Sequence, residues 1–152
     1  MTNPSDETRA DLAEQLATSL KMTKPSDEAR AATKKRAEEF MSGFKINDPK
    51  FWRSMIPSAV NSVFLLRLPG DFCTKNLPNK EDKNVVILID KNGEEYKTVY
   101  LAKRAALSGG WKAFALAHNL MDGDVLLFKL IRPSVFEVFI FRVNDPEQWG
   151  YD

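Results

Sequence analysis

From Phe51 to Phe141 the chain alternates short apolar runs with turn-forming residues, which predicts an all-β barrel or sandwich rather than a helical domain. Strand-length runs fall near 50–55, 63–68, 84–90, 94–101, 124–131 and 135–142. Lys91-Asn92-Gly93 separates the third run from the fourth, and its Asn-Gly pair predicts a tight hairpin with two positive φ angles. Arg132-Pro133-Ser134 joins the last two runs. Two short helices interrupt the pattern. One covers Gly70 to Leu77, entered after Pro69 and Asp71 and closed before Pro78, with Cys73 as a small core residue. The other starts at Trp111, where Trp111, Phe114, Ala115 and His118 follow i, i+3, i+4, i+7 spacing and make Trp111 and Phe114 core anchors. Ser108 is placed to accept a hydrogen bond from its first amides. Asn119 suits the left-handed residue that ends a helix, Asp122-Gly123 turns the chain, and Asp124 is placed to bond turn amides ahead of the buried run at Val125.

Before this region the pattern is different. Residues 2–10, T-N-P-S-D-E-T-R-A, return at 23–31 as T-K-P-S-D-E-A-R-A, a period of 21. Each copy reads as a helix start, with Ser5 or Ser26 as the N-cap and Asp6-Glu7 or Asp27-Glu28 against the positive end of the helix dipole. Ala, Glu, Lys and Arg follow, with no aromatic before Phe40, so residues 1–46 are expected to be helical or disordered, to bury little apolar surface and to be removable without loss of the fold. Lys34-Lys35-Arg36 reads either as a nuclear import signal or as a solvated helix face.

Composition narrows the function classes. No run approaches the eighteen or so apolar residues of a membrane span, and the polar N-terminal residues are unlike a signal sequence, so an intracellular protein is expected. One Cys and one His argue against a disulfide and against a zinc site within the chain. The net charge of +1 hides an uneven distribution. Residues 1–49 hold 8 Lys/Arg against 9 Asp/Glu, residues 50–142 hold 14 against 9, and residues 143–152 hold 0 against 3. A basic centre between acidic flanks favours an anionic partner such as nucleic acid, but the excess is modest and a merely solvated surface is the competing reading. His118 near Asp122 or Asp124 invites a catalytic reading, but no nucleophile motif, phosphate loop or carboxylate-rich metal pattern accompanies it. A His at the end of a core helix more often caps a carbonyl or packs.

The order of these features carries a resemblance: a strand, a polar loop, a strand ending in R-L-P, the segment L-P-G-D-F-C-x-x-x-L-P, a hairpin, a basic loop, L-S-G-G-W-x-x-F, then G-D-V-L-L-F and F-E-V-F-I-F-R. Across roughly residues 50–142 it is similar to the plant-specific B3 DNA-binding domain, and the two L-P and L-S-G-G-W segments look closest to its reproductive-meristem-like branch. The resemblance implies a mainly β fold, a seven-stranded open pseudobarrel with two short helices, that binds double-stranded DNA in the major groove through two loops, the N-arm and the C-arm. The chain then divides into a charged segment at 1–46, the domain at 47–143 and an acidic tail at 144–152.

The N-arm falls on Arg53 to Ser62. There Ser54, Ser58, Asn61 and Ser62 are short enough to meet base edges, and Arg53 suits a phosphate or a guanine. Better-known branches carry basic residues in this loop interior, where this chain has Val60, Asn61 and Ser62. The C-arm falls on Tyr100 to Ser108, with Lys103 and Arg104 as its contacts and Ser108 beside them; a solvated turn is the competing reading. Lys112, Lys75 and Lys80 are further phosphate candidates. A nuclear transcription regulator follows, without cofactor, catalysis, small-molecule substrate or membrane partner. The rival readings are a protein-interaction module that keeps the scaffold and takes a protein partner through its N-terminal segment, and a small enzyme resting on His118 alone.

Overall fold

The apolar run at Val125 folds as a strand whose first four residues are fully buried, because both of its faces are covered. The computed structural model describes residues 24–145 and 152. Among these the chain runs α1 (Asp27–Met41), β1 (Lys50–Ser54), α2 (Pro57–Val60), β2 (Leu66–Arg67), α3 (Gly70–Asn76), β3 (Lys83–Ile89), β4 (Glu95–Leu101), β5 (Ala106–Leu107), α4 (Trp111–Ala117), β6 (Val125–Arg132) and β7 (Val135–Phe141). The described strands form one seven-stranded sheet in the order β1-β6-β7-β3-β4-β5-β2. Every pairing is antiparallel except β3 beside β7. The sheet curls into an open half-barrel with β1 and β2, neighbours in sequence, at its two edges.

Alternation along β6 and β7 divides their side chains between two apolar clusters. Leu126, Phe128, Phe136, Val138 and Ile140 enter the interior with Trp111 and Phe114, both of which are fully buried. Val125, Leu127, Phe139 and Phe141 point the other way, and α1 covers them. The expectation that the N-terminal segment buries little apolar surface is therefore corrected for its second repeat copy; the first copy lies outside the described residues. Ser26 caps α1 as expected, accepting from the Ala29 amide at 3.1 Å. Arg30, Thr33, Ala37 and Phe40 then follow the 3.6-residue period along one face. Phe40 lies 5.2 Å from the ring centre of Phe139 and 5.6 Å from that of Phe141. Arg30 grips both carboxylate oxygens of Asp122 at 2.9 and 2.8 Å, with both side chains largely shielded. That face contains few apolar residues, so periodicity alone missed it; ion pairing does what more leucines would otherwise do.

Other differences are local. The run at 63–68 shortens to Leu66–Arg67 because Phe64 adopts a left-handed backbone, φ 55. Its partner β5 is too short to carry a period. At the β3–β4 hairpin Gly93 has φ 81 but Asn92 has no positive φ, so the two-residue turn expected there is replaced. The Asp90 carboxylate instead accepts the amides of Asn92 and Glu94, both at 2.9 Å, and closes a longer turn with a glycine bulge. Cys73 is buried in the core, and burial pushes its thiol up.

Candidate nucleic-acid interface

The loop after β1 is braced from both ends. Met55, fully buried, donates its amide to the Asp124 carbonyl at 2.7 Å and accepts from the Gly123 amide at 2.8 Å. Pro57 then opens the single helical turn of α2, which buries Ala59 and Val60 where the sequence pattern predicts open loop. The indole of Trp111 donates to the Ala59 carbonyl at 2.9 Å, so the core aromatic also holds this loop. The Phe64 amide returns to the Ser58 carbonyl at 2.9 Å. Ser58, Asn61, Ser62 and Val63 are left exposed on a fixed backbone. Ser54 and Arg53 remain half-exposed on β1. The Arg53 Nε donates to the Arg67 carbonyl at 3.1 Å, bridging the two open edges of the barrel, a structural task that its residue type and position do not foretell.

The second loop is a tight turn between β4 and β5. Arg104 and Ala105 donate their amides back to Leu101 and Ala102, and Ala105 takes a left-handed φ of 50. Asp82 pins the turn twice, its carbonyl accepting from Ala102 at 2.7 Å and its carboxylate from the Lys103 amide at 3.0 Å. The side chains of Lys103 and Arg104 are exposed. The two loops meet through their strands: β5 pairs with β2, and Leu68 donates to the Ala105 carbonyl at 2.7 Å.

The remaining candidates divide. Lys112 on α4 lies 5.2 Å from the centre of the Phe64 ring, which places it against the first loop. Lys80 is exposed in the segment that leads to Asp82. Lys75 lines a separate groove with Lys50 and Trp52, to which no residue of either loop contributes. Ser108 does not cap α4 as expected; its hydroxyl faces the Val99 carbonyl at 3.4 Å. Gly110 holds the cap position with φ 83, where a Cβ would fall 2.1 Å from the Lys97 carbonyl oxygen. Sequence reading misses Arg67, exposed on β2 between the loops, and Lys83, exposed opposite Leu101 at the base of the second loop. Their strand positions are legible, but only the pairing puts them beside the loops.

His118 sits among structural bonds. Its Nδ1 meets the Phe114 carbonyl at 2.8 Å and its Nε2 meets Asp90 at 3.0 Å, not Asp122 or Asp124. Burial opposes ionisation of Asp90, but hydrogen bonds from His118 and from the Glu94 and Asn92 amides outweigh it and hold the carboxyl below its usual range. Asp124 accepts the amides of Met121 and Val143 at 2.9 and 2.8 Å, and burial pushes its carboxyl up. Among the described residues no group of three or more His, Cys, Asp or Glu is placed to hold a metal ion, and no helix is long and apolar enough to cross a membrane.

An open seven-stranded half-barrel that presents two braced polar loops from one region defines the fold as a pseudobarrel. More particularly, the chain belongs to the B3 family: the model of the B3 DNA binding domain matches residues 51–144. The chain is 45% identical over 119 residues to the B3 domain-containing protein At5g42700 of Arabidopsis thaliana, covering 78% of this chain and 56% of that protein. It is 42% identical over 113 residues to the B3 domain-containing protein Os05g0481400 of Oryza sativa subsp. japonica, covering 74% of this chain and 40% of that one. It thus spans about half the length of these relatives. The fold matches the Arabidopsis FUS3-DNA complex with a TM-score of 0.50 at 18% identity, covering 60% of this chain and 95% of that one. The B3 domain is a DNA-binding domain, not an enzyme.

Proposed function

We propose that the chain is a sequence-preferring reader of double-stranded DNA, acting as a transcription regulator in the nucleus, with both loops in the major groove. The first loop is the N-arm, where Ser54, Ser58, Asn61 and Ser62 meet base edges while Arg53 supports the backbone contact. The second is the C-arm, where Lys103 and Arg104 neutralise phosphates with Ser108 and Lys80 beside them, while Lys112 adds a phosphate contact at the first loop and Lys75, in its separate groove, lies apart from both arms. The observation that carries the reading is the C-arm turn: two exposed cations on a backbone that Asp82 fixes at two points, next to a loop of short polar side chains. Fixing the backbone lowers the ordering cost that long cationic side chains bring to a contact. The folded unit on this reading takes in α1 as well as the barrel. Selection from random duplexes, then titration of selected and scrambled duplexes at two salt concentrations, tests it. A preference for the selected site and a steep loss of affinity with salt are expected; binding indifferent to both would favour the interaction-module reading.

A further inference from the structure

At the end of the N-arm, one residue past Ser62, lies an apolar feature that the polar contacts proposed for the arm do not use. Val63 is 72% exposed and Ile56 is 54% exposed, and both line one groove of about 510 Å³ together with Leu65, Arg53 and Arg67. An exposed valine alone is ordinary, but two branched apolar side chains in one groove, with a guanidinium group on each strand edge, are not a random scatter. Their presentation is fixed as well. The next residue, Phe64, is held at φ 55, with its amide on Ser58 and its ring beside Lys112, so Val63 is displayed outward rather than folded back.

We propose that the N-arm reads the 5-methyl group of a thymine through Val63, with Ile56 beside it. This rests on the reading of the arm as DNA-facing. A valine or isoleucine side chain has no donor or acceptor, so it adds nothing at a phosphate or at the polar edge of a base. In the major groove the apolar group on offer is the thymine methyl, which distinguishes a T·A pair from the other pairs. The flanking arginines match a polyanion that carries such a methyl, rather than an uncharged apolar ligand.

The test starts from the selected duplex and replaces each thymine in turn with deoxyuridine, which removes the methyl and keeps every hydrogen-bonding group. The parent should lose about fourfold in affinity at one or two positions, the worth of one buried methyl-sized group. Val63→Ser should bind the thymine and uracil duplexes alike while keeping the parent's salt dependence. Because Val63 is exposed the variant should stay folded, and Ile56→Ser should show a smaller form of the same loss of discrimination. A parent that selects a site yet ignores every uracil overturns this proposal and leaves the DNA reading standing. A parent that selects no site overturns both.

Discussion

Lys34-Lys35-Arg36 and Lys103-Arg104 look alike along the chain, but the fold uses Arg36 and Arg104 in opposite ways. In α1 the helical period turns Arg36 inward, where it donates to the backbone carbonyls of Arg142 and Asp145, while Arg30, earlier on the same helix, grips Asp122. That basic run is partly committed to holding the helix on β6 and β7. In the C-arm it is the backbone that is held, by Asp82, and the two cationic side chains stand exposed. A charge run is therefore not informative by composition; what its side chains are already bonded to decides whether it remains available to a partner. Of the first run, Arg36 is a structural element, while Lys35 stays exposed.

If that contrast is right, the largest effect belongs to α1. Removing residues 1–41 should expose Val125, Leu127, Phe139 and Phe141 and leave Asp122 without its arginine, for a loss on the order of 5 kcal/mol. Thermal melting should shift down by about 10 °C or more. An unchanged melt would mean that the helix is dispensable and that Arg30 and Arg36 are not committed to the fold. Somewhat smaller is the effect of Phe114→Ala, which removes a fully buried ring packed against Trp111 and should cost about 3 to 5 kcal/mol in chemical denaturation. Full stability with DNA binding abolished would place that ring at the interface instead.

The same contrast explains what the sequence could and could not reveal. Long strands with an alternating or continuous apolar pattern emerge within a residue or two, β3 and β4 among them, because burial on defined faces imposes the period. Asn119 ends α4 with a left-handed φ of 48, as its residue type suggests. Elements fixed by single long-range bonds are not legible. β5 exists because its two residues lie between β2 and β4, and α2 because Trp111 reaches its carbonyl. The hairpin turn follows Asp90 rather than the Asn-Gly pair. The candidate loops are located by order alone, whereas Arg67 and Lys83 join the neighbourhood only through strand pairing. The docking of α1 is hidden for a related reason: an arginine on a helix face reads as solvated until its buried partner, ninety-two residues away, is known.

A smaller effect, and one without a stability component, should follow from Lys103→Ala combined with Arg104→Ala. Both residues are exposed, so the melt should hardly change. Affinity for every duplex should fall by about tenfold or more at moderate salt, and the slope of log affinity against log salt should shrink by about 2, roughly one unit for each phosphate left without its cation. Binding equal to the parent at every salt concentration would show that the C-arm is a solvated turn.

The smallest effect on total affinity belongs to Asn61, and it separates reading DNA from holding it. Asn61 is exposed, short and uncharged, at the end of the α2 turn, where its amide bonds the Pro57 carbonyl at 2.8 Å. Since that bond comes from the backbone, Asn61→Ala leaves the brace in place and removes only the side-chain amide. Without charge, the side chain contributes little to attraction by random DNA. It matters where a base edge lies within hydrogen-bond reach, and its donor and acceptor pair suits adenine. The salt slope should therefore stay at the parent value while the preference for the selected site over scrambled DNA falls by about 1 to 3 kcal/mol. Titration of both duplexes at two salt concentrations measures the two quantities together. A loss shared equally by both duplexes would make Asn61 a support for the loop backbone, and base reading would then rest on Ser58, Ser62 and Val63.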